Sequence, residues 1–578
     1  MKSHLLFWFI AFISLQTNAQ NPLQGKWKFT TGDNLLYAQP AFDDSGWKEL
    51  EAGILWENQG FDGYDGFGWY RFKATIPSSL KANAAKYGGL ILDLQKIDDS
   101  DETFLNGVLI GKHGAMPPNY VSAYDEDRRY AIPIDKILWD QENTIAVRVY
   151  DLTGGGGIYN GPVSLQSVGL SDQLKISVDY VTSDHIVRSG NSISLTVVIK
   201  NNSDENLEGT LSAEIVSDFK EQVYSKKEPL VLRKRSGKKH TLSLTGLAPG
   251  FYTARIEFKT NLATIRSYTA FGIEPEHIQS PVDSQYDFEN YWKRAKKELA
   301  AVDPQYKLTK IDSLSTPTRN TYLLEMRSLG NVLIRGWYNE PVKPGKYPAL
   351  LHVQGYNTVM IPEWAYQSDD FAVLALNVRG HGNSRDNLAP SFNSMPSYLL
   401  TQLHDKEQYI YRGAYMDTRR AVDFLFSRPM VDTTKVVVEG GSQGGALSIA
   451  TAALNNDRIR LCMPDVPFLS DFPHYFVVGN WPGNEFKAYQ EMHPEMGWDK
   501  IYETLSYIDI KNLAPWVKAP VLMAVGLKDE TCPPHINFAA YNQLQVQKEY
   551  VVYPEAGHSL PAPWRQIKYD WMRKQLGM

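Results

Sequence analysis

The segment from residue 435 to residue 454 constrains the fold of this 578-residue chain more than any other. It begins with a β-branched run, Lys435-Val-Val-Val-Glu439, passes through Gly440-Gly-Ser-Gln-Gly444 and continues into small and apolar residues of high helix propensity. The first run predicts a buried strand, and the last predicts a helix packed closely on a sheet. The glycines permit a strained turn that lifts the side chain of Ser442 above the sheet. The segment therefore predicts strand, sharp turn and helix.

Two later residues give Ser442 chemical partners. Asp529 and His558 each follow a predicted strand, and in open α/β sheets catalytic groups gather beyond the carboxyl ends of strands. Serine, acid, histidine is also the chain order of the α/β hydrolases. A serine hydroxyl is a poor nucleophile near neutral pH, so it needs a histidine to accept its proton and a carboxylate to hold the histidine tautomer. We predict a catalytic triad of Ser442, Asp529 and His558, with Glu530 as the alternative acid.

An acyl-transfer site also needs hydrogen-bond donors for an oxyanion. These are usually the backbone N–H after the nucleophile and one N–H from a loop after an early strand. The first donor is then Gln443. Gln354-Gly-Tyr-Asn357 directly follows the apolar run at 350–353, so Tyr356 is the candidate second donor. An ordinary glycine turn is the alternative interpretation of this loop.

Charge, cysteine content and the first residues bound the class of protein. A net charge of -6 argues against a nucleic-acid surface and against a polybasic membrane anchor. Residues 1–19 join Lys2 to a short apolar run and end in Thr-Asn-Ala19, which predicts a cleaved secretory signal and an exported protein, periplasmic or secreted. The two cysteines, Cys462 and Cys532, leave open one disulfide or two buried thiols.

The chain is long enough for several domains, and its composition pattern changes twice. Residues 20–173 alternate short strand-like pieces with Gly, Asp and Asn turns, which predicts a β jelly roll. Residues 174–276 predict a second sandwich of immunoglobulin-like type. Residues 277–578 alternate strands and helices, which predicts a doubly wound α/β domain. Aromatic residues of the first domain are candidates either for stacking on a sugar ring or for the sandwich core: Trp47, Trp56, Tyr64 and Trp69.

The last 300 residues resemble the acetyl xylan esterase and cephalosporin C deacetylase family, carbohydrate esterase family 7. The stretches that carry the resemblance span residues 284 to 578 in the family's order: Asp287-Phe-Glu-Asn-Tyr-Trp292, Gly355-Tyr356, Val378-Arg-Gly-His-Gly382, Tyr411-Arg-Gly-Ala-Tyr-Met-Asp417, Gly440-Gly-Ser-Gln-Gly-Gly445, Asp465-Val-Pro-Phe-Leu469, Gly526-Leu-Lys-Asp-Glu-Thr-Cys-Pro-Pro534 and Gly557-His558. The N-terminal region resembles the galactose-binding-like jelly roll found at the front of many exported glycoside hydrolases.

The resemblance implies a serine esterase without metal or organic cofactor. Such an enzyme removes small acyl groups, chiefly acetyl, from sugar hydroxyls of xylo-oligosaccharides and similar esters. It assigns the nucleophile, acid and base to Ser442, Asp529 and His558, and the oxyanion donors to Tyr356 and Gln443.

The chain departs from the family pattern in two ways. Gln354 stands where many members have histidine. Simpler members lack the two leading β domains and form hexamers, so the resemblance leaves a homo-oligomer open. Trp364, Phe468 and Trp481 are candidate pocket walls, and core positions are the alternative for each.

Two other functions stay open on the sequence. A serine peptidase of the prolyl-oligopeptidase kind also joins a β domain to an α/β hydrolase, but that β domain is normally a propeller, and residues 20–280 show no repeated blade. An inactive carbohydrate-binding or scaffold protein is the alternative from another class. The intact set of Ser442, Asp529 and His558 counts against it.

Overall fold

The computed structural model describes residues 21–578 except 181, 189–191, 363–368, 387 and 393. The predicted signal peptide and Trp364 therefore lie outside the described residues. The chain divides between Gly169 and Leu170 into two compact units. Within the described residues, every helix is too short or too polar to cross a membrane.

The first unit is built from two antiparallel sheets. One has the strand order β2-β1-β3-β8-β5-β6, and in the other β10-β4-β7 is joined by β9 at β4. Apolar residues of both sheets form one core, as in a sandwich. The elements are β1 (Lys26–Thr31), β2 (Lys48–Glu51), β3 (Gly66–Thr75), α1 (Lys81–Tyr87), β4 (Leu90–Asp98), β5 (Ser100–Leu105), β6 (Val108–His113), β7 (Asp127–Ile132), β8 (Glu142–Asp151), β9 (Gly157–Ile158) and β10 (Ser164–Ser167).

The aromatic residues singled out in this unit divide into two groups. Trp56 and Trp69 are fully buried, so they belong to the core and present no face to a sugar. Trp47 and Tyr64 are half-buried. Trp47 packs edge-on against Tyr37 with ring centroids 4.9 Å apart. Sugar stacking stays a prediction for Trp47 and Tyr64 alone.

The second unit begins with two more β-sheets. Their strand orders are β11-β13-β16 and β12-β18-β17-β14-β15. The strands are β11 (Leu174–Asp179), β12 (Ile186–Val187), β13 (Ser192–Asn201), β14 (Leu207–Ser217), β15 (Gln222–Leu232), β16 (Ser236–Thr245), β17 (Gly250–Thr260) and β18 (Thr264–Ile273). The predicted domain boundary near residue 277 lies inside this unit. That boundary and the immunoglobulin-like topology stay predictions.

The rest of the second unit is an α/β fold around a nine-stranded sheet. The strand order is β19-β20-β21-β23-β22-β24-β25-β26-β27, antiparallel as far as β23 and parallel from there. The elements are α2 (Phe288–Ala300), β19 (Lys307–Lys310), β20 (Arg319–Ser328), β21 (Val332–Pro341), β22 (Tyr347–Val353), β23 (Ala372–Asn377), α3 (Ile410–Ser427), β24 (Val431–Gly441), α4 (Gln443–Asn455), β25 (Leu461–Asp465), α5 (Phe472–Val478), α6 (Gly483–Met492), α7 (Trp498–Ile508), α8 (Ile510–Leu513), β26 (Val521–Gly526), α9 (Pro534–Gln543), β27 (Lys548–Tyr553) and α10 (Pro563–Leu576).

Burial on both faces explains why the central strands lack polar alternation. Every residue of β23 and β26 is buried, as parallel strands covered by helices are. All residues of α4 are buried as well, so its many small side chains allow it to lie close to the sheet. The carboxyl ends of β22, β24, β26 and β27 meet at one edge, and each is followed by a predicted site residue.

Candidate active site

Ser442 stands alone between β24 and α4. Its backbone has φ 59° and ψ −119°, a region that residues other than glycine seldom occupy. Its N–H donates a hydrogen bond to the carbonyl of Asp465 at 2.9 Å, which fixes the turn to the end of β25. Such strain is retained where it aims a functional group. The predicted strand, turn and helix are all confirmed.

Close backbone contacts explain the glycines around Ser442. A Cβ at Gly440 would lie 2.5 Å from the carbonyl oxygen of Val353, and one at Gly444 would lie 2.3 Å from the same atom. A Cβ at Gly445 would lie 2.6 Å from the carbonyl oxygen of Asp465. Side chains at these positions would push the turn away from β22 and β25.

Asp529 and His558 form a direct pair. The Nδ1 of His558 lies 2.8 Å from the Oδ2 of Asp529, whose side chain is buried. The other oxygen, Oδ1, accepts the backbone N–H groups of Thr531 at 2.9 Å and Cys532 at 2.7 Å. These bonds hold the carboxylate still, so a neutral His558 that donates from Nδ1 carries its lone pair on Nε2. Glu530 is exposed on the surface, so the structure favours Asp529 as the acid.

Cys532 connects this pair to Ser442. Its Sγ lies 3.9 Å from the Oγ of Ser442, while its N–H binds Asp529. Both cysteines are free and buried, so the two-thiol interpretation is confirmed and the disulfide alternative is wrong. Burial raises the pKa of the Cys532 thiol well above its ordinary value, which keeps it a neutral wall beside the serine.

The side chain of Gln443 holds the turn at Ser442 against the 354–357 loop. Its Oε1 accepts the hydroxyl of Tyr411 at 2.8 Å, and its Nε2 lies 3.2 Å from the Nε2 of His381 and 3.5 Å from the carbonyl oxygen of Gly355. Burial lowers the pKa of His381 to about 3, so its ring stays neutral and its Nε2 can accept the amide hydrogen.

Sequence reasoning missed the roles of Tyr411 and His381. Both lie in the stretches that carry the family resemblance, and that was the available signal.

Phe468, which contacts Ser442 through its backbone, packs in a row of aromatic rings. Phe468 is fully buried and its N–H donates to the carbonyl of Ser442 at 3.0 Å. Its ring stacks on Trp481 with centroids 5.0 Å apart. Trp481 in turn packs edge-on against Tyr356 at 5.4 Å. A series of contacts therefore runs from Ser442 through Phe468 and Trp481 to Tyr356 of the predicted oxyanion loop.

Comparison with known proteins shows the family of this chain. Residues 276–575, more than half of the chain, match the family model described as acetyl xylan esterase (AXE1). The chain belongs to the acetyl xylan esterase family. As a member of that family it is a carboxylic ester hydrolase.

Individual relatives of this esterase cover different parts of it. Acetyl esterase Axe7A of Xylanibacter ruminicola is 28% identical over 339 residues, 57% of this chain and 75% of that protein. Acetyl xylan esterase 1 from Thermoanaerobacterium sp. JW/SL YS485, a crystal structure, is 31% identical with a TM-score of 0.48 and covers 52% of this chain and 98% of that one. β-Galactosidase BoGH2A of Bacteroides ovatus is 28% identical over 197 residues, 31% of this chain and 22% of that protein.

A buried ionic network holds the ends of β24 and β25 next to the turn at Ser442. Lys568 of α10 binds Asp465 at 2.7 Å and Glu439 at 2.8 Å. Glu439 also accepts from His352 at 3.1 Å, and Asp465 from Trp564 at 2.9 Å. Burial alone would raise the pKa of Glu439, but Lys568 and His352 hold it well below its ordinary value. The network ties α10 to β24, the strand that ends directly before Ser442.

One group near this site has the composition of a metal site. Asp471, His474 and His535 each offer a ligand atom, and these atoms lie within 4.8 Å of one another. Asp471, however, already binds the ammonium of Lys511 at 3.1 Å and the ring of His474 at 2.8 Å. The neighbouring ammonium disfavours a second cation here, so we assign no metal to this group.

Proposed function

We propose that this esterase removes acetyl groups from sugar hydroxyls of plant oligosaccharides or polysaccharides such as acetylated xylan. The observation that carries the proposal is the bonded pair of His558 and Asp529, which Cys532 joins to Ser442, in a chain of the acetyl xylan esterase family. The relative Axe7A is an acetyl esterase, which supports acetyl as the acyl group.

In the proposed mechanism Ser442 is the nucleophile, His558 is the general base and then the general acid, and the carboxylate of Asp529 orients His558. The Oγ of Ser442 attacks the acetyl carbonyl while Nε2 of His558 accepts its proton. The C–O bond to the sugar then breaks, and His558 gives this proton to the departing sugar oxygen. Water, activated by the same histidine, hydrolyses the acetyl-enzyme and releases acetate. Asp529 stabilises the imidazolium in both halves.

The oxyanion of each tetrahedral intermediate needs preorganised donors. We assign this role to the backbone N–H groups of Gln443 and Tyr356. Gln443 begins α4, where the N–H groups have no partner within the helix and carry the positive end of its dipole. Its side-chain contacts with Gly355 and His381 keep the loop that carries Tyr356 close to the turn. Neither donor requires a metal or an organic cofactor.

Acetate release measured on acetylated xylan, mannan, pectin and xylo-oligosaccharides tests the function. We expect turnover on at least one acetylated sugar and none on prolyl peptide amides, which a prolyl-oligopeptidase-like enzyme would cleave. An inactive scaffold would hydrolyse neither class. Peptide cleavage without acetate release would replace the proposal with the peptidase alternative.

Trp481 should limit the size of the acyl group, because its ring contacts both Phe468, whose backbone N–H bonds Ser442, and Tyr356, the proposed oxyanion donor. Trp481→Ala should raise the ratio of kcat/KM on p-nitrophenyl butyrate to that on p-nitrophenyl acetate by about tenfold, since each methylene in an apolar pocket is worth about 1–3 kcal/mol. Trp481→Phe, which keeps a ring, is the control and should leave the ratio within about twofold of wild type. An unchanged ratio in the alanine variant would remove Trp481 from the acyl pocket.

Export and domain organisation belong to the same proposal. Residues 1–19 are proposed as a cleaved signal peptide that delivers the enzyme to the periplasm or the medium, where acetylated plant fragments would be found. Residues 20–173 and 174–276 are proposed as a jelly roll and an immunoglobulin-like sandwich. Mass spectrometry of the exported protein tests the cleavage, and we expect an N-terminus at Gln20.

A further inference from the structure

Three aspartates of the first unit converge on one point. Asp98 ends β4, Asp99 follows it, and Asp151 ends β8. Each offers a carboxylate oxygen, and these three oxygens lie within 4.8 Å of one another. Asp151 is fully buried and Asp99 is 7% exposed. Two ligands on opposite sides of one Ca²⁺ stand about 4.6–5.2 Å apart, so the three oxygens have the spacing of a shared ion.

Further carboxylates add negative charge around these aspartates. The carboxylates of Glu57 and Asp65 repel the carboxylate of Asp151 electrostatically. Asp65 is repelled by Asp99 in the same way. Like charges this close and this buried are costly unless a cation or a proton balances them.

Two oxygens of the group are buried and lack a partner among the described residues. Asp151 accepts the N–H of Thr153 on Oδ1 at 3.2 Å, but its Oδ2 has no hydrogen-bond partner. Glu57 accepts the N–H of Gly156 on Oε2 at 3.0 Å, and its Oε1 has none. A fully buried carboxylate oxygen without a partner is rare, because it loses its hydration and gains nothing in return. It indicates a ligand at this position.

Neighbouring groups orient the aspartates without neutralising them. Asp99 accepts the hydroxyl of Ser122 on Oδ1 and the N–H of Leu152 on Oδ2 at 3.0 Å. Arg128 directs its Nε to Asp101 at 3.0 Å and its Nη2 to the backbone carbonyls of Ile97 and Asp99. This one guanidinium pairs with Asp101, whereas Asp98, Asp99 and Asp151 bring three further carboxylates, so an excess of negative charge remains.

We propose that Asp98, Asp99 and Asp151 form a Ca²⁺ site at the ends of β4 and β8, with Glu57 and Asp65 beside it. The donor set is oxygen alone, which favours a hard cation over zinc. Ca²⁺ accepts six to eight oxygens in flexible geometry, whereas Mg²⁺ demands a near-ideal octahedron and keeps its waters. A loop of four glycines from residue 154 to residue 157 runs along the group, and Gly156 donates its N–H to Glu57.

Isothermal titration of the EDTA-treated full chain with CaCl₂ tests the site. We expect one Ca²⁺ per chain and a rise in Tm on adding Ca²⁺ in excess, because an ion that binds only the folded state stabilises it. Mg²⁺ at the same concentration should bind at least about tenfold more weakly. No binding heat and no Tm shift at millimolar CaCl₂ would overturn the proposal.

Two isosteric substitutions and one control locate the ion. Asp151→Asn and Asp98→Asn should each raise the Kd for Ca²⁺ at least about tenfold, since each removes one charged ligand. Asp62→Asn, an exposed neighbour in the same region, should leave the Kd unchanged. If the Asp151→Asn protein does not fold, the Kd of the Asp98→Asn protein for Ca²⁺ tests the site, because Asp98 is only half-buried. Wild-type Kd values in both cluster variants would place the ion elsewhere and contradict the assignment.

Discussion

Ser442→Ala should lower kcat on p-nitrophenyl acetate by at least about a thousandfold, because it removes the hydroxyl proposed to form the acetyl-enzyme. Some rate above the uncatalysed reaction should remain, since the donors on Gln443 and Tyr356 would still stabilise an oxyanion formed by direct attack of water. The measurement is steady-state hydrolysis, together with mass spectrometry of the enzyme after reaction with a fluorophosphonate. Wild-type protein should gain one adduct and the variant none.

Ser448→Ala is the matched control for this experiment. Ser448 lies in the same helix and donates its hydroxyl to the carbonyl of Gly444 at 2.8 Å. Losing that bond should cost about 1 kcal/mol of stability and leave kcat close to wild type. If Ser442→Ala keeps near-wild-type turnover, the serine mechanism is wrong, and the esterase site lies elsewhere in the chain.

Lys568→Met should lower the free energy of unfolding by about 3–5 kcal/mol, because it leaves Glu439 and Asp465 buried without their counterion. The change is measured by urea denaturation at pH 7. Lys574→Met, an exposed position on the same helix, should shift stability by less than about 0.5 kcal/mol. If the two substitutions changed the free energy of unfolding equally, the buried ionic network would not contribute to stability.

The pH dependence of this loss follows from the pKa of Glu439. Its folded value is lowered by Lys568 and His352, so its contribution to stability is present above the unfolded value of about 4.3 and is lost as the pH falls through the folded one. Without Lys568 the pKa of Glu439 in the folded protein is higher, so this residue takes up a proton as the pH falls and the unpaired buried charge of the variant is removed. The difference in unfolding free energy between wild type and Lys568→Met should therefore narrow as the pH falls from 7 towards 4.

Local signals explain how much of the site was predictable. The strand, the glycines and the helix around Ser442 lie within twenty residues, and their backbone demands are visible in the residue types. Asp529 and His558 were predicted because each follows a strand-like run and the two stand in hydrolase order. The sequence left Trp56 and Trp69 open between the sandwich core and a sugar-stacking surface, and only the structure decided for the core, because an aromatic residue on a strand has the same pattern whether its face is covered or open.

The supporting residues were invisible for a different reason. Lys568 lies on an amphipathic helix where a lysine predicts a solvated position, and its partner Glu439 stands more than a hundred residues earlier. Tyr411 and Gln443 are 32 residues apart and meet only because α3 and α4 pack together. The convergence of Asp98 and Asp151 depends in the same way on the ends of two strands meeting in one sandwich.

The sequence by itself predicted the strand, turn and helix around Ser442, the chain order of a serine, a carboxylate and a histidine, and the change from β-rich to α/β architecture. Each of these follows from backbone conformation or chemistry that only certain residue types supply. Tertiary structure alone decided which acid pairs with His558, that both thiols stay free, and which buried charges balance one another. Those outcomes depend on contacts between distant segments, and the free energy of a buried group is set by the neighbours that folding brings to it.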